Sequence, residues 1–259
     1  MAVSAGFVLL AAGLGATVIR DVRLDKVTGC PINNRAPAAH TVILVDETDR
    51  LGRADLRYAR ELIMTEYGWL PVGGRLTVRN IRSDPDQAED IVVCRMRDKS
   101  ATGGLTSNSR QLKKQFDRTA GLRLNSLLAD LETAPVETRS PIRESIAAVA
   151  DRTDFSSATS IRRLIVLSDF AQHSGLDSDY DRRRRVLSAV ALDELTRDFS
   201  EVEIRLHYIR RPSLNWLQGD AHRRSWETYL EDMGAHVAVG HDLRLGETDD
   251  REVWINAAT

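Results

Sequence analysis

Stretches of alternating character divide the chain into strand-like and helix-like pieces. HTVILVDETD carries an apolar, mostly β-branched run from Thr41 to Val45 that ends at Asp46, the pattern of a buried central strand in a parallel sheet. Leu56, Ala59, Ile63 and Tyr67 then recur at helical spacing, with Gly68 as a stop signal. Arg75–Ile81 and Asp90–Met96 read as two strands. The SDPDQAE between them is too short for a helical crossover, which predicts a hairpin and an antiparallel edge. A glycine and serine loop, Thr102–Ser109, leads into a long amphipathic helix with Leu112, Phe116, Ala120, Leu124, Leu127, Leu128 and Leu131 on one stripe. Ser140-Pro141 opens a short helix with Ile142, Ile146 and Val149 inward, serine as its N-cap and proline at its first position. Arg163–Ser168 is a second buried strand that ends at an aspartate, Asp169. A helix over Asp181–Phe199, a strand Val202–Ile209, a helix carrying Trp226, Tyr229, Leu230 and Met233, and a short strand Ala235–Val239 follow. No internal repeat is visible.

Alternating strands and helices predict an α/β fold: a mainly parallel, doubly wound, Rossmann-like sheet with one antiparallel edge strand. The expected organisation is an apolar segment 2–19, a tether 20–39 with two prolines, an α/β domain 40–240 and an irregular tail 241–259.

Residues Ala2 to Ile19 carry no charge. Eighteen helical residues reach about 27 Å, close to the hydrocarbon thickness of a bilayer. Arg20, Asp21 and Arg23 follow at once, and no basic leader precedes. We therefore expect a single transmembrane helix, rich in small residues that permit contact with membrane neighbours. Lys and Arg lie only on its C-terminal flank, so the positive-inside rule favours a cytoplasmic domain.

Composition removes several classes. The 36 basic and 38 acidic residues give a net charge of −2, which argues against nucleic acid as a partner. Aromatics at 5% are too sparse for a base-stacking platform. Two cysteines supply neither a disulfide scaffold nor a four-ligand zinc site. Cys94, in an apolar strand, is expected to be a buried thiol, and Cys30, in the tether, an accessible one; a bridge between them would point to an exported domain. No phosphate-binding G-x-x-x-x-G-K-[ST] loop occurs.

The chemistry-bearing candidates sit at strand ends. Asp46 and Asp169 each close an apolar strand, where ligands of open α/β sheets bind. His173 is expected to be a surface residue, His236 and His241 lack a third ligand for zinc, and Tyr180 and Trp226 are expected to pack. The run Arg182–Arg185 reads as a solvated helix start, with contact to anionic lipid or an acidic partner as its alternative.

Taken together, residues 40–240 resemble the von Willebrand factor A-like domain. The likeness rests on Asp46-Glu47-Thr48, the hairpin after the first helix, Ser140-Pro141, and Leu167-Ser168-Asp169. The resemblance implies a metal-ion-dependent adhesion site in which Asp46, Thr48, Ser140 and Asp169 hold Mg²⁺, and a partner's carboxylate completes the shell. Mg²⁺ suits such oxygen donors. The motif is degenerate, because Arg50 stands where the family has a second serine. Either a divalent cation or the Arg50 guanidinium, paired with Asp46 or Asp169, can supply the countercharge, and Arg50 is slightly favoured because it stands where a ligand hydroxyl is expected.

The function expected from these readings is a non-catalytic, membrane-anchored protein-binding module, a subunit or scaffold of a larger assembly. Its partners would be other protein subunits, including membrane neighbours, and the bilayer itself. The competing class is a divalent-metal-dependent phosphohydrolase or nuclease that uses strand-end carboxylates such as Asp46, Asp49 and Asp169. A haloacid-dehalogenase-like reading of Asp46 is weaker, since Thr48 occupies the place of the second acid.

Overall fold

The structure, a computed structural model, describes residues 24–32, 36–96, 109–181 and 187–239. The expected membrane anchor 2–19, the basic run 182–185 and the tail 241–259 lie outside these residues. No helix among the described residues is long and apolar enough to cross a membrane.

Six strands form one sheet in the order β3-β2-β1-β4-β5-β6. β1 (Ala39–Asp46) and β4 (Ile161–Ser168) lie at its centre as parallel neighbours, with Val45 opposite Leu167. Outside them run β2 (Arg75–Ile81), β5 (Val202–Tyr208) and β6 (His236–Val239), all parallel. β3 (Asp90–Cys94) returns from β2 as the one antiparallel strand, as the short connection requires. The doubly wound architecture and antiparallel edge therefore match the expectation.

Both faces of the central strands are buried, which explains their unbroken apolar runs. On one face Ile43, Val45, Ile165 and Leu167 pack under α1 (Arg53–Trp69) and the stripe Phe116, Ala120, Leu124, Leu128 and Leu131. That stripe spans α2 (Ser109–Phe116) and α3 (Leu122–Thr133), joined through a π-helical turn at Asp117–Gly121. On the other face Val42, Leu44, Leu164 and Val166 pack under α4 (Ile142–Ala150) and α6 (Asp220–Glu231), where Trp226 is fully buried as expected.

Three local expectations change. Of the helix predicted over 181–199, the described residues show α5 (Ala189–Leu195): Ser188 caps it by accepting from Ala191 N–H, and Thr196 ends it in extended backbone. Ser140 does not cap α4. Pro141 holds that position, and the serine hydroxyl turns toward Asp46. Cys30 and Cys94 are neither an accessible thiol nor a free buried one; they are bonded to each other with Cα atoms 4.7 Å apart. The physical reason is that the tether folds onto the sheet edge. Cys94 N–H donates to Thr28 C=O at 2.9 Å, and Cys30 becomes buried beside β3.

Candidate functional site

The carboxyl ends of β1 and β4 place Asp46 and Asp169 side by side, both buried, at one end of the sheet. Asp46 is held by four donors. Its Oδ1 accepts from Thr48 N–H at 3.0 Å and Thr48 Oγ1 at 2.6 Å. Its Oδ2 accepts from Ser168 Oγ at 2.5 Å and, weakly, from Ser140 Oγ at 3.5 Å. Asp46, Thr48, Ser140 and Asp169 are thus brought to one crevice, as the resemblance implied.

The loop after α3 carries Ser140 there through backbone pairing. Ser140 and His173 exchange two backbone hydrogen bonds, of 2.7 and 2.9 Å, and Glu137 N–H donates to Thr48 C=O at 2.8 Å. A cleft of about 300 Å³ opens beside these groups, lined by Thr48, Asp49, Ser140, Asp169, His173 and Tyr180 among others. His173 is exposed, as expected, with Nδ1 2.8 Å from Ser178 Oγ. Tyr180 is a correction: it is 48% exposed at the rim, edge-on to His173 and tilted against the half-exposed Trp216.

Phe170, directly after Asp169, adopts a left-handed backbone with φ 59°. Such a conformation is costly for a bulky residue and is held only where packing over-determines it. Here the ring stacks on Tyr208 at 4.2 Å and meets Trp226 edge-on, while Phe170 N–H donates to Ser168 Oγ.

The positive charge of the crevice comes from Arg211, which the sequence pattern did not single out. Its Nε donates to Asp169 Oδ2 at 2.9 Å and lies 3.8 Å from Asp49 Oδ2; Nη1 donates to Arg50 C=O at 3.0 Å. Arg50 itself directs Nε to Ala134 C=O at 3.1 Å. The countercharge role expected of Arg50 therefore falls to Arg211. Gln218, buried, fixes the loop that presents it: its Nε2 donates to Asp169 C=O and Ile209 C=O, and its Oε1 accepts from Arg211 N–H. No local motif marks Arg211, because it follows β5 and reaches Asp169 only through the β4–β5 neighbourhood. Ser168 was legible in part. It lies within Leu167-Ser168-Asp169, and the register sets it beside Asp46.

Burial, and then repulsion by Asp46, push Asp169 up to about 6, against the opposing pull of Ala171 N–H and Arg211. Asp49 is also raised, by burial first, with Arg211 lowering it and Asp46 raising it. Asp169 and Asp49 share one guanidinium beside a third carboxylate, Asp46, whose partners are hydroxyl and amide donors.

This donor set does not suit a divalent cation. The outer oxygen of Asp169 already holds a guanidinium, Asp46 is saturated by hydroxyl and amide donors, and a dication would face Arg211 at close range in a partly dry site. Among the described residues no group of three His, Cys, Asp or Glu side chains is arranged to hold a metal ion.

The chain matches no family model and no curated protein sequence. Among solved structures it is similar to a von Willebrand factor type A protein from Catenulispora acidiphila, at 13% identity and a TM-score of 0.40, over 79% of this chain and 39% of that one. It is similar also to the SpRpn10 VWA domain, at 10% identity and a TM-score of 0.38, over 80% of this chain and 90% of that one.

Proposed function

We propose that this chain is a non-catalytic, von Willebrand factor A-like protein-binding module, carried on a single membrane anchor at residues 2–19, whose partner docks over the crevice end of the sheet. The observation that carries the reading is the Arg211–Asp169 pair. It sets a fixed positive charge against Asp169 from within the fold, so this strand-end carboxylate has a structural partner and does not depend on a metal ion for one. Around this internally satisfied floor stand Tyr180, Trp216 and Val136, exposed by 48, 47 and 72%. Large amphipathic side chains beside a concave floor are the usual anchors of protein interfaces.

The disulfide bears on the side of the membrane. A bond between Cys30 and Cys94 supports an oxidising, extracytoplasmic location for the domain, against the orientation that the flanking charges favour.

The test is co-purification from detergent extracts of cells expressing the full chain. A partner retained by the wild type should be lost from a Tyr180→Ala/Trp216→Ala variant of unchanged melting temperature. Metal-dependent turnover of phosphoester or nucleic-acid substrates, abolished by Asp46→Ala, would replace this reading with the hydrolase one.

A further inference from the structure

The end of the domain opposite the crevice carries its own exposed apolar surface. β1 and β2 begin there, at Ala39 and Arg75, and β3 ends there, with Cys94 opposite Arg75. Two segments bracket the end of β3. The loop 24–32 is attached by the Cys30–Cys94 bond and by Cys94 N–H donating to Thr28 C=O. The turn after α1 is attached by Gly73 N–H donating to Arg95 C=O at 2.7 Å and Arg95 N–H to Gly74 C=O at 2.9 Å. Leu24, Val27 and Ile32 on the first segment, and Trp69 and Val72 on the second, are exposed by 44 to 65%. Lys26 is exposed among them.

Such a cluster on one end of a domain marks an interaction surface, and the chain leading into it says what covers it. The uncharged stretch 2–19 ends only five residues before Leu24. Fully extended, five residues reach at most about 18 Å. If residues 2–19 lie in the bilayer, the loop 24–32 is therefore held at the membrane surface, and the disulfide prevents the sheet from swinging away from it. Trp, with an apolar ring and a polar N–H, suits the headgroup level, and Lys26 suits anionic lipid.

We infer that Leu24, Val27, Ile32, Trp69 and Val72 form a bilayer-facing base on which the domain stands. The seven residue steps of β1 at about 3.3 Å each then lift Asp46 roughly 23 Å above that base, so the crevice faces away from the membrane. The inference rests on the anchor proposed above and deepens it: the anchor restricts where the domain is, and the disulfide with this patch decides which way it points.

The test reconstitutes the full chain in vesicles of phosphatidylcholine and phosphatidylglycerol, with and without bromine on the acyl chains near the headgroups. Bromine quenches tryptophan only at short range. The wild type should float with the vesicles and lose emission in the brominated lipid. Trp69→Phe should remove most of that loss, whereas Trp216→Phe at the crevice rim should leave it unchanged; Trp69 is exposed enough for the substitution to keep the melting temperature. A chain that does not float with vesicles overturns the anchor and this inference together. A chain that floats but shows the same quenching with Trp69→Phe as without it leaves the anchor standing and overturns the orientation. Cross-linking of two copies through this patch, with Trp69 unquenched, overturns it in favour of a self-interface.

Discussion

Arg211 Nε sits 2.9 Å from Asp169 Oδ2, and this one contact joins the loop after β5 to the end of β4 and determines the chemistry of the whole crevice. It places a fixed monovalent cation beside Asp169 and Asp49 where the family resemblance implies Mg²⁺. A guanidinium brings directional hydrogen bonds and cannot be lost to a chelator.

Replacement of Arg211 by glutamine leaves a buried carboxylate without its cation. Breaking a buried pair in this way costs about 3 kcal/mol. Without Arg211, Asp169 shifts further upward, so the loss should be largest near pH 8 and shrink as pH falls and the carboxyl protonates. Thermal melts of both proteins from pH 5 to pH 8 measure it; a loss independent of pH would show that Asp169 does not depend on Arg211.

Metal should leave the wild type untouched. Millimolar Mg²⁺ or EDTA should shift its melting temperature by less than about 1 °C, since only a ligand that binds the folded state stabilises it. Arg211→Ser removes the competing cation and opens room beside Asp169, and should acquire a Mg²⁺-dependent rise in melting temperature. A wild-type protein stabilised by Mg²⁺ in an Asp46-dependent manner would refute the countercharge assignment.

Asp169 should give the protein an inverse acid response. Its folded value, about 6, lies above the ordinary carboxylate value, so the folded state binds the proton more tightly than the unfolded chain. Ionisation therefore costs the folded state stability as pH rises from about 4 to 6, by a few kcal/mol at most. Asp169→Asn cannot ionise. Its stability relative to wild type should climb across that window and level off above it. Calorimetry of the pair at pH 4, 5, 6 and 7 reads the difference, and a flat difference would refute the shift.

The Cys30–Cys94 bond closes a loop over a sequence separation of 64 residues. Chain-entropy reasoning gives such a closure roughly 4 kcal/mol at most. Reductant, or Cys30→Ser with Cys94→Ser, should lower the melting temperature and free the loop 24–32 for proteolysis. An unreduced native protein that takes up two equivalents of alkylating reagent would contradict the bond.

Arg143 is buried, with Nε 3.0 Å from Asp177 Oδ2 and its guanidinium over the rings of Trp226 at 4.1 Å and Tyr229 at 4.6 Å. Arg143→Met keeps the packing volume but orphans Asp177, at a cost of about 3 kcal/mol. Adding Asp177→Asn should recover part of the loss, which a double-mutant cycle in urea would quantify.

Periodicity alone determined the framework: the two central strands, the antiparallel hairpin and the stripe through α2 and α3. These follow from side-chain burial, and burial is written into spacing one residue at a time. The strand-end aspartates were legible for the same reason, since an apolar run that stops at a carboxylate marks where a strand leaves the core. The tertiary structure decided what those carboxylates face. Arg211 lies 42 positions from Asp169, and Gln218, which fixes it, 49. No local rule distinguishes Arg211 from Arg50 or Arg210, because only the pairing of β4 with β5 and the turn held by Gln218 bring it there. The disulfide depended likewise on a tether folding back onto β3. A contact between distant residues belongs to the register of the sheet, which local sequence patterning constrains by face and not by neighbour.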